Sequence, residues 1–226
     1  MMKKIVLLLM VIALLAGMSA CGNDNQKPAT VPSQSQETLD RPNDGTPVDT
    51  TVQEYEEPET EITFTVNDLG DGKGELKNCI GYKATVVVPE TVNGLTIVGI
   101  GADCFISDVK EVVLPDSVEY IEGLAFNSCK KLRTVKFGSG LKRIGRMAFN
   151  ICSSLETLSF PEGMEEMELP FLNCGALKEV YIPASVTEIK SGITISTTCP
   201  NLVVVTPAGS VAEEVASESG IAVRNP

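Results

Sequence analysis

The chain has 226 residues, with 18 basic and 30 acidic side chains, a formal charge of −12, and neither histidine nor tryptophan. The lack of histidine removes Ser–His and Cys–His nucleophile pairs and every imidazole-ligated zinc site. The acidic balance argues against a general nucleic-acid binder, which needs basic surface to displace counterions. Charge is unevenly spread: residues 1–20 carry +2 (Lys3, Lys4), residues 21–61 carry 2 basic and 10 acidic groups (−8), and residues 62–226 carry 14 basic and 20 acidic groups (−6).

At the N terminus Met1-Met2-Lys3-Lys4 precedes an unbroken apolar run from Ile5 to Ala16. As a helix that run rises about 18 Å, short of the roughly 30 Å hydrocarbon core of a bilayer. A positive start, a short apolar stretch and small residues predict a secretory signal peptide over residues 1–20 rather than a membrane span. The small residues Gly17-Met18-Ser19-Ala20 stop at Cys21, which resembles a bacterial lipobox with Met18 where leucine is more usual. The resemblance implies cleavage before Cys21, lipidation of that cysteine and attachment to the outer face of a bacterial membrane, at the cell surface; the alternative is an ordinary signal peptide with Cys21 incidental. Residues 21–60 follow, rich in Asn, Gln, Pro, Ser, Thr, Asp and Glu and ending in the acidic run Glu54-Tyr55-Glu56-Glu57-Pro58-Glu59-Thr60-Glu61. Low hydropathy with like charge predicts a disordered, self-repelling tether, which holds the remainder about 35 Å from the bilayer.

Beyond the tether the chain repeats. Cys129, Cys152, Cys174 and Cys199 are 23, 22 and 25 residues apart, and Leu132, Leu155, Leu177 and Leu202 each follow by three. Val135, Leu158, Val180 and Val205 come three later, and Phe126, Phe149 and Phe171 precede their cysteines. Val118, Leu141, Met164 and Val186, then Ile121, Ile144, Met167 and Ile189, complete the frame, and an earlier, shorter unit fits it through Pro89, Val92, Ile100, Phe105, Val109 and Val112. A unit of about 23 residues cannot bury its apolar face alone, whereas stacked units repeat each apolar position about every 4.8 Å and build a continuous core. The expected fold is a β-rich repeat solenoid of about five turns, with two short extended segments per unit and a short helical turn at Ala125-Phe126 and Ala148-Phe149.

The pattern Pro-x-x-Val-x-x-Ile-x-x-x-Ala-Phe-x-x-Cys-x-x-Leu-x-x-Val resembles the BspA-like (Treponema-type) leucine-rich repeats of bacterial surface proteins, from about residue 84 to 206. The resemblance implies a solenoid over 61–206 that opens with a cap hairpin (61–83) and closes with a helix–strand cap (207–226). Two units depart from it. Glu168 and Pro170 stand before Phe171 in a unit one residue short, and the unit from Lys190 to Cys199 is two residues long and lacks the phenylalanine; local bulging is expected there.

The repeat also changes how single residues read. Four cysteines at one repeat position suit small core fillers, so a buried thiol ladder is expected, with disulfides or a metal as the alternatives; Cys79 and Cys104 lie outside that ladder. Residues 123–155 hold seven basic side chains and no acid, a linear signature of an anionic-polymer patch. Adding or subtracting one period pairs Arg133 with Glu156 and Lys178, Lys142 with Glu165 and Glu119, and Arg143 with Glu166, a structural charge ladder. Lys130, Lys131, Lys136 and Arg146 find no acid by this rule. Asp68-Leu69-Gly70-Asp71-Gly72-Lys73-Gly74-Glu75 lacks the spacing of a calcium or phosphate loop and reads as a hairpin turn. Phe137-Gly138-Ser139-Gly140 is a turn between rungs, and no catalytic constellation stands out, so the expectation is a protein without enzymatic activity, cofactor or metal.

If the Leu-x-x-Val strands form an exposed sheet, two columns flank their buried positions: Glu111, Thr134, Thr157, Glu179 and Val204, and Val113, Lys136, Ser159, Tyr181 and Thr206. Tyr181 and Lys136 are aromatic and cationic types, as binding surfaces combine. The columns form a candidate protein-binding face or, equally, a solvated strand face. The resemblance implies recognition of host or neighbouring-cell proteins; the alternatives are a structural envelope-assembly lipoprotein and a weak anionic-polysaccharide binder. The expected partner is an extracellular or envelope protein, with no nucleic acid, and the expected state is a monomer.

Overall fold

The structure, a computed structural model, describes residues 59–226 apart from 106–107. The signal peptide, Cys21 and residues 21–58 of the tether lie outside the described residues. No helix among the described residues is long and apolar enough to cross a membrane.

The described chain opens with an antiparallel hairpin, Thr63–Gly70 against Lys73–Ile80. Its turn is the pair Asp71 (φ 53°) and Gly72 (φ 71°). Both take the left-handed conformation that a tight two-residue hairpin demands, which Asp and Gly tolerate best. The second hairpin strand is also the first rung of a parallel ladder that continues through Leu95–Ile100, Tyr120–Ile121, Arg143–Ile144, Glu166–Glu168 and Glu188–Lys190. Its register stacks Leu76, Ile100, Ile121, Ile144, Met167 and Ile189 in one column. All but Ile189 are buried to 1% exposure or less. The cap is therefore continuous with the solenoid, and this ladder counts one rung more than the five turns expected.

A second parallel ladder runs Thr85–Val87, Glu111–Val113 and Thr134–Lys136, then Thr157–Ser159, Glu179–Tyr181, Val203–Val205 and Ala222–Arg224. It is divided, because Lys136 and its neighbours do not pair with Thr157–Ser159. Beside the division Phe137 sits one period before Phe160, two large rings at one position of neighbouring units. The Phe137 ring packs tilted on Phe160 at 5.3 Å and edge-on to Phe149 at 6.4 Å. Gly138 replaces the proline found at this position in neighbouring units, and a Cβ there would stand 2.2 Å from the Pro115 carbonyl oxygen.

The third side of each turn carries the phenylalanines. Phe105, Phe126, Phe149 and Phe171 stack with centroids 4.7, 4.9 and 5.7 Å apart. This spacing is the rung-to-rung distance of a parallel ladder, so the rings are in van der Waals register with the backbone. The Ala-Phe-x-x-Cys stretches are turns, not the helical turns expected. Left-handed residues bound them, Leu124 (φ 63°) and Ser128 (φ 60°), then Met147 (φ 55°) and Ile151 (φ 57°), then Leu169 (φ 35°) and Asn173 (φ 55°). Such a residue ends a right-handed helix and costs on the order of 1–2 kcal/mol for a side chain with a Cβ; here the stacked rings beneath hold it. Asn150 amide Nδ2 donates to Asn127 Oδ1 at 2.9 Å, and Asn127 Nδ2 to Asp103 Oδ1 at 3.1 Å. That amide ladder stops where Leu172 stands opposite Asn150, and Asn150 Oδ1 is buried with no hydrogen-bond partner.

In the long unit, Ser196–Thr198 forms a 3-10 turn. Thr194 takes the place of the missing ring, bridging to Phe171. Its hydroxyl donates to Cys199 Sγ at 3.2 Å, which satisfies a polar group that is only 6% exposed. The C-terminal cap is the helix Val211–Glu218 and the strand Ala222–Arg224. Ser210 caps the helix by accepting the Glu213 N–H at 3.1 Å, while the Glu213 carboxylate accepts from Gly209 N at 2.6 Å. These two reciprocal bonds satisfy donors that a helix start leaves open. Ala212 and Ala216 face inward and close the core.

Candidate binding face

Register on the second ladder aligns Thr85, Glu111 and Thr134, then Thr157, Glu179, Val203 and Ala222, as one outer column; Val87, Val113 and Lys136, then Ser159, Tyr181, Val205 and Arg224, form the other. Glu111, Thr134, Thr157, Glu179, Lys136, Ser159 and Tyr181 stand where the spacing expects. The last unit does not. Val204, not Val205, pairs with Val180, because only one residue separates Leu202 from the core strand position where other units place two. Val204 and Thr206 are consequently buried at 0% exposure. Thr206 shares a hydrogen bond with Ser210 at 2.8 Å beneath the cap and is no part of a binding face.

Much of the face is committed to itself. Lys136 Nζ lies 2.7 Å from Glu111 Oε1, and Arg224 Nη2 lies 2.7 Å from Glu179 Oε2, so the cap strand is tied two rungs back. The Lys136 hydrogen bond holds the Glu111 carboxyl below its ordinary range. The Tyr181 hydroxyl donates to Glu162 Oε1 at 2.7 Å, and that bond pushes the phenol up. In contrast, Thr134, Thr157 and Ser159 are exposed, and these three hydroxyls cluster at the division of the ladder. They are flanked by Lys136 on one side and Tyr181 on the other. The sequence holds the hydroxyls in view, but not the division, since Phe137 reads as one more apolar residue in pattern.

The outer face of the first ladder carries a cluster that period counting missed. Tyr120 lies over Gly99, where a Cβ would come within 2.2 Å of the ring. Its hydroxyl donates to Glu75 Oε2 at 3.0 Å, and the Arg143 guanidinium sits 5.0 Å from the ring centroid while pairing with Glu122 at 2.9 Å. Burial first, then Glu75, pushes the Tyr120 phenol up to about 12. Arg143 thus turns back to Glu122 and leaves Glu166, its in-register neighbour, to Lys190. Gly99 one rung before Tyr120 is the signal that could have found the cluster.

The basic run of residues 130–146 is largely neutralised across rungs. Lys142 meets Glu165 at 3.6 Å as expected. Glu156 pairs with Lys178 at 2.7 Å, and Arg133 adds a weaker pull on the same carboxylate. Lys131 meets Asp108 at 3.2 Å, Lys136 meets Glu111, and Arg146 meets Glu168 at 3.4 Å, so three of the four bases left over by the period rule have acids after all. The rule missed them because side chains of this length reach backwards and diagonally as well as along the column.

None of the six described cysteines is in a disulfide, and all are buried. Cys129, Cys152 and Cys174 thiols each point at the carbonyl of a phenylalanine one unit back: Phe105 at 3.7 Å, Phe126 at 3.2 Å and Phe149 at 2.9 Å. A weak S–H donor there satisfies a carbonyl that the turn leaves open. Burial pushes Cys79 up to about 11 and Cys129 to about 12; Cys174 reaches about 12 chiefly through Cys152. Cys104, with Cys79 and Cys129 as neighbours, is raised further, again mainly by burial. Cys79 N donates to Cys104 O at 2.9 Å, and Cys104 takes the alanine position before Phe105, which accounts for the two cysteines outside the ladder. Thiols held this far above neutral pH are poor nucleophiles. Among the described residues no group of three or more Cys, Asp or Glu is placed to hold a metal ion.

The family model for the BspA-type leucine-rich repeat region, in six copies, matches residues 87–211. Among solved structures, a leucine-rich repeat protein of T. pallidum is 30% identical with a TM-score of 0.58, over 63% of this chain and 68% of that one. A leucine-rich repeat protein from Bacteroides capillosus is also 30% identical, with a TM-score of 0.50 over 55% of this chain and 98% of that one. No curated protein matches. Stacked rungs, the phenylalanine column and the six matched copies all describe one architecture: the chain belongs to the BspA-type leucine-rich repeat family.

Proposed function

We propose that this chain is a lipid-anchored extracytoplasmic protein that presents the outer face of the second ladder to a protein partner, with adhesion to a host or neighbouring-cell protein as its role. The observation that carries this reading is the exposed trio Thr134, Thr157 and Ser159, bordered by Lys136 and Tyr181 and left out of the ion pairs that occupy the rest of the face. Aromatic and cationic side chains around uncommitted hydrogen-bonding groups suit a protein surface better than a small molecule. The lipobox-like run ending at Cys21 supports membrane attachment, and the acidic stretch after it supports display at a distance. A catalytic role has no support from the side-chain arrangement. Charge pairing across rungs speaks against the anionic-polysaccharide alternative, and a structural envelope role is the reading that competes.

Two measurements test this. Lipid labelling of cells expressing the chain should mark the wild type and not Cys21→Ser; equal labelling removes the anchor. Binding to extracellular-matrix proteins and to the producer's envelope extract, at low and high salt, should give salt-resistant capture of a matrix protein. Capture from the envelope alone replaces adhesion with envelope assembly, and binding that collapses with salt restores the polysaccharide reading.

A further inference from the structure

The second ladder begins at an open edge. Thr85–Val87 pairs with Glu111–Val113 on one side, and no other strand among the described residues pairs with it. Val88 N donates to the Val113 carbonyl, and the Ala84 carbonyl accepts from Lys110 N and Glu111 N. Backbone groups alternate in direction along a strand, so those of Thr85 and Val87 point away from the solenoid, toward the open side. The Val87 side chain is 62% exposed, the most of any large apolar residue described. An edge of this kind accepts strands from other chains unless something covers it.

The first described residues arrive beside that edge, antiparallel to the segment leading into it. Thr60 N donates to the Tyr82 carbonyl at 2.7 Å, Tyr82 N donates to Thr60 Oγ1 at 2.6 Å, and Ala84 N donates to Glu59 Oε1 at 3.4 Å. Gly81 permits the approach: its φ is +116°, and a Cβ there would stand 2.3 Å from the Glu61 carbonyl oxygen. Each residue back from Thr60 is a step forward from Tyr82, which brings Tyr55 to within about a residue of Val87. The sequence changes character at the same place. Thr50-Thr51-Val52-Gln53-Glu54-Tyr55 carries β-branched and aromatic residues that favour strands, and Glu54, Glu56 and Glu57 are opposite in sign to Lys83 and Lys110, which flank the edge.

We propose that residues Gln53–Glu57 dock on the free edge of Thr85–Val87 as one more antiparallel strand, with Tyr55 packed against Val87. The solenoid thus closes its own first rung with the last stretch of its tether, independently of what the outer face binds. The edge is then unavailable to strands from other molecules, and the disordered part of the tether ends near residue 52.

Residue-resolved amide hydrogen exchange on the full chain in detergent micelles tests this, comparing wild type with Tyr55→Pro, a change outside the core. In the wild type, amides of residues 53–57 and of Thr85 and Val87 should exchange at least about tenfold more slowly than those of residues 30–45. Tyr55→Pro should release Thr85 and Val87 by a similar factor and leave Val180 unchanged. Exchange of residues 53–57 at the rate of residues 30–45 overturns the proposal. So does protection of Thr85 and Val87 that survives Tyr55→Pro, or that rises with protein concentration, which assigns the edge to a second copy.

Discussion

The two ladders of the solenoid share one period and one core, yet they differ outside it. The first runs unbroken from the cap hairpin to Glu188–Lys190, and its outer face is closed by ion pairs and by Tyr120 lying on Gly99 between Glu75 and Arg143. The second is divided beside Phe137 and leaves three hydroxyls uncommitted at the division. Stacking identical buried residues makes a solenoid, but it leaves the solvent columns free to differ. Where every long side chain finds a partner one rung away, the face is structural; where partners run out, a surface remains for another molecule.

Four changes break or sharpen this contrast. The largest effect is expected in what the ladders share: Phe149→Ala removes a fully buried ring from the middle of the stack and should cost about 3–5 kcal/mol in a denaturant titration. Next comes alkaline pH. Cys79, Cys129 and Cys174 have folded pKa values of about 11, 12 and 12, above the ordinary 9.0. The unfolded chain therefore releases protons above pH 9 that the folded one keeps, so stability is intact below pH 9 and falls as pH rises toward 12. The slope is about 1.4 kcal/mol per pH unit for each thiol involved, and urea midpoints at pH 7.5 and 10 measure it.

The third change separates the faces. Tyr120→Ala should lower stability by about 2 kcal/mol, since it strips a half-buried ring from Gly99 and leaves Glu75 and Arg143 without it. Tyr181→Ala should change stability by less than about 1 kcal/mol while weakening a captured partner by more than about 1 kcal/mol. Equal stability losses erase the distinction between a structural and a presenting face. The smallest effect is at the end of the amide ladder. Leu172→Asn places a donor opposite the unpartnered Asn150 Oδ1 and should raise stability by about 0.5–1 kcal/mol; thermal unfolding resolves a shift of that size.

The buried half of this molecule was legible because stacking demands the same residue type at every turn. Ile121, Ile144 and Met167, or Phe126, Phe149 and Phe171, announce a column by their spacing alone. The caps follow from the Asp71-Gly72 turn and the Ser210 helix start. Legibility failed where a unit changed length: one residue fewer after Leu202 moved Val204 into the core and Thr206 under the cap. It failed again for backbone conformation, because Leu124, Met147 and Ile151 hold left-handed positions that glycine or asparagine would have advertised. On the surface, counting by one period matched Lys142 to Glu165 but not Arg143 to Glu122, since a flexible side chain chooses among several rungs. The division beside Phe137 left no trace at all in the repeat.

The measurement that bears most directly on the presenting face is partner capture by two charge-introducing variants of equal size. Thr157→Arg alters the centre of the second ladder's outer face, and Glu165→Arg alters the outer side of the first; both positions are exposed. With both variants folded by circular dichroism, Thr157→Arg should weaken capture at least about tenfold, close to 1.4 kcal/mol, and Glu165→Arg should leave it unchanged. Capture lost in Glu165→Arg and kept in Thr157→Arg would place the binding surface on the first ladder and contradict the account.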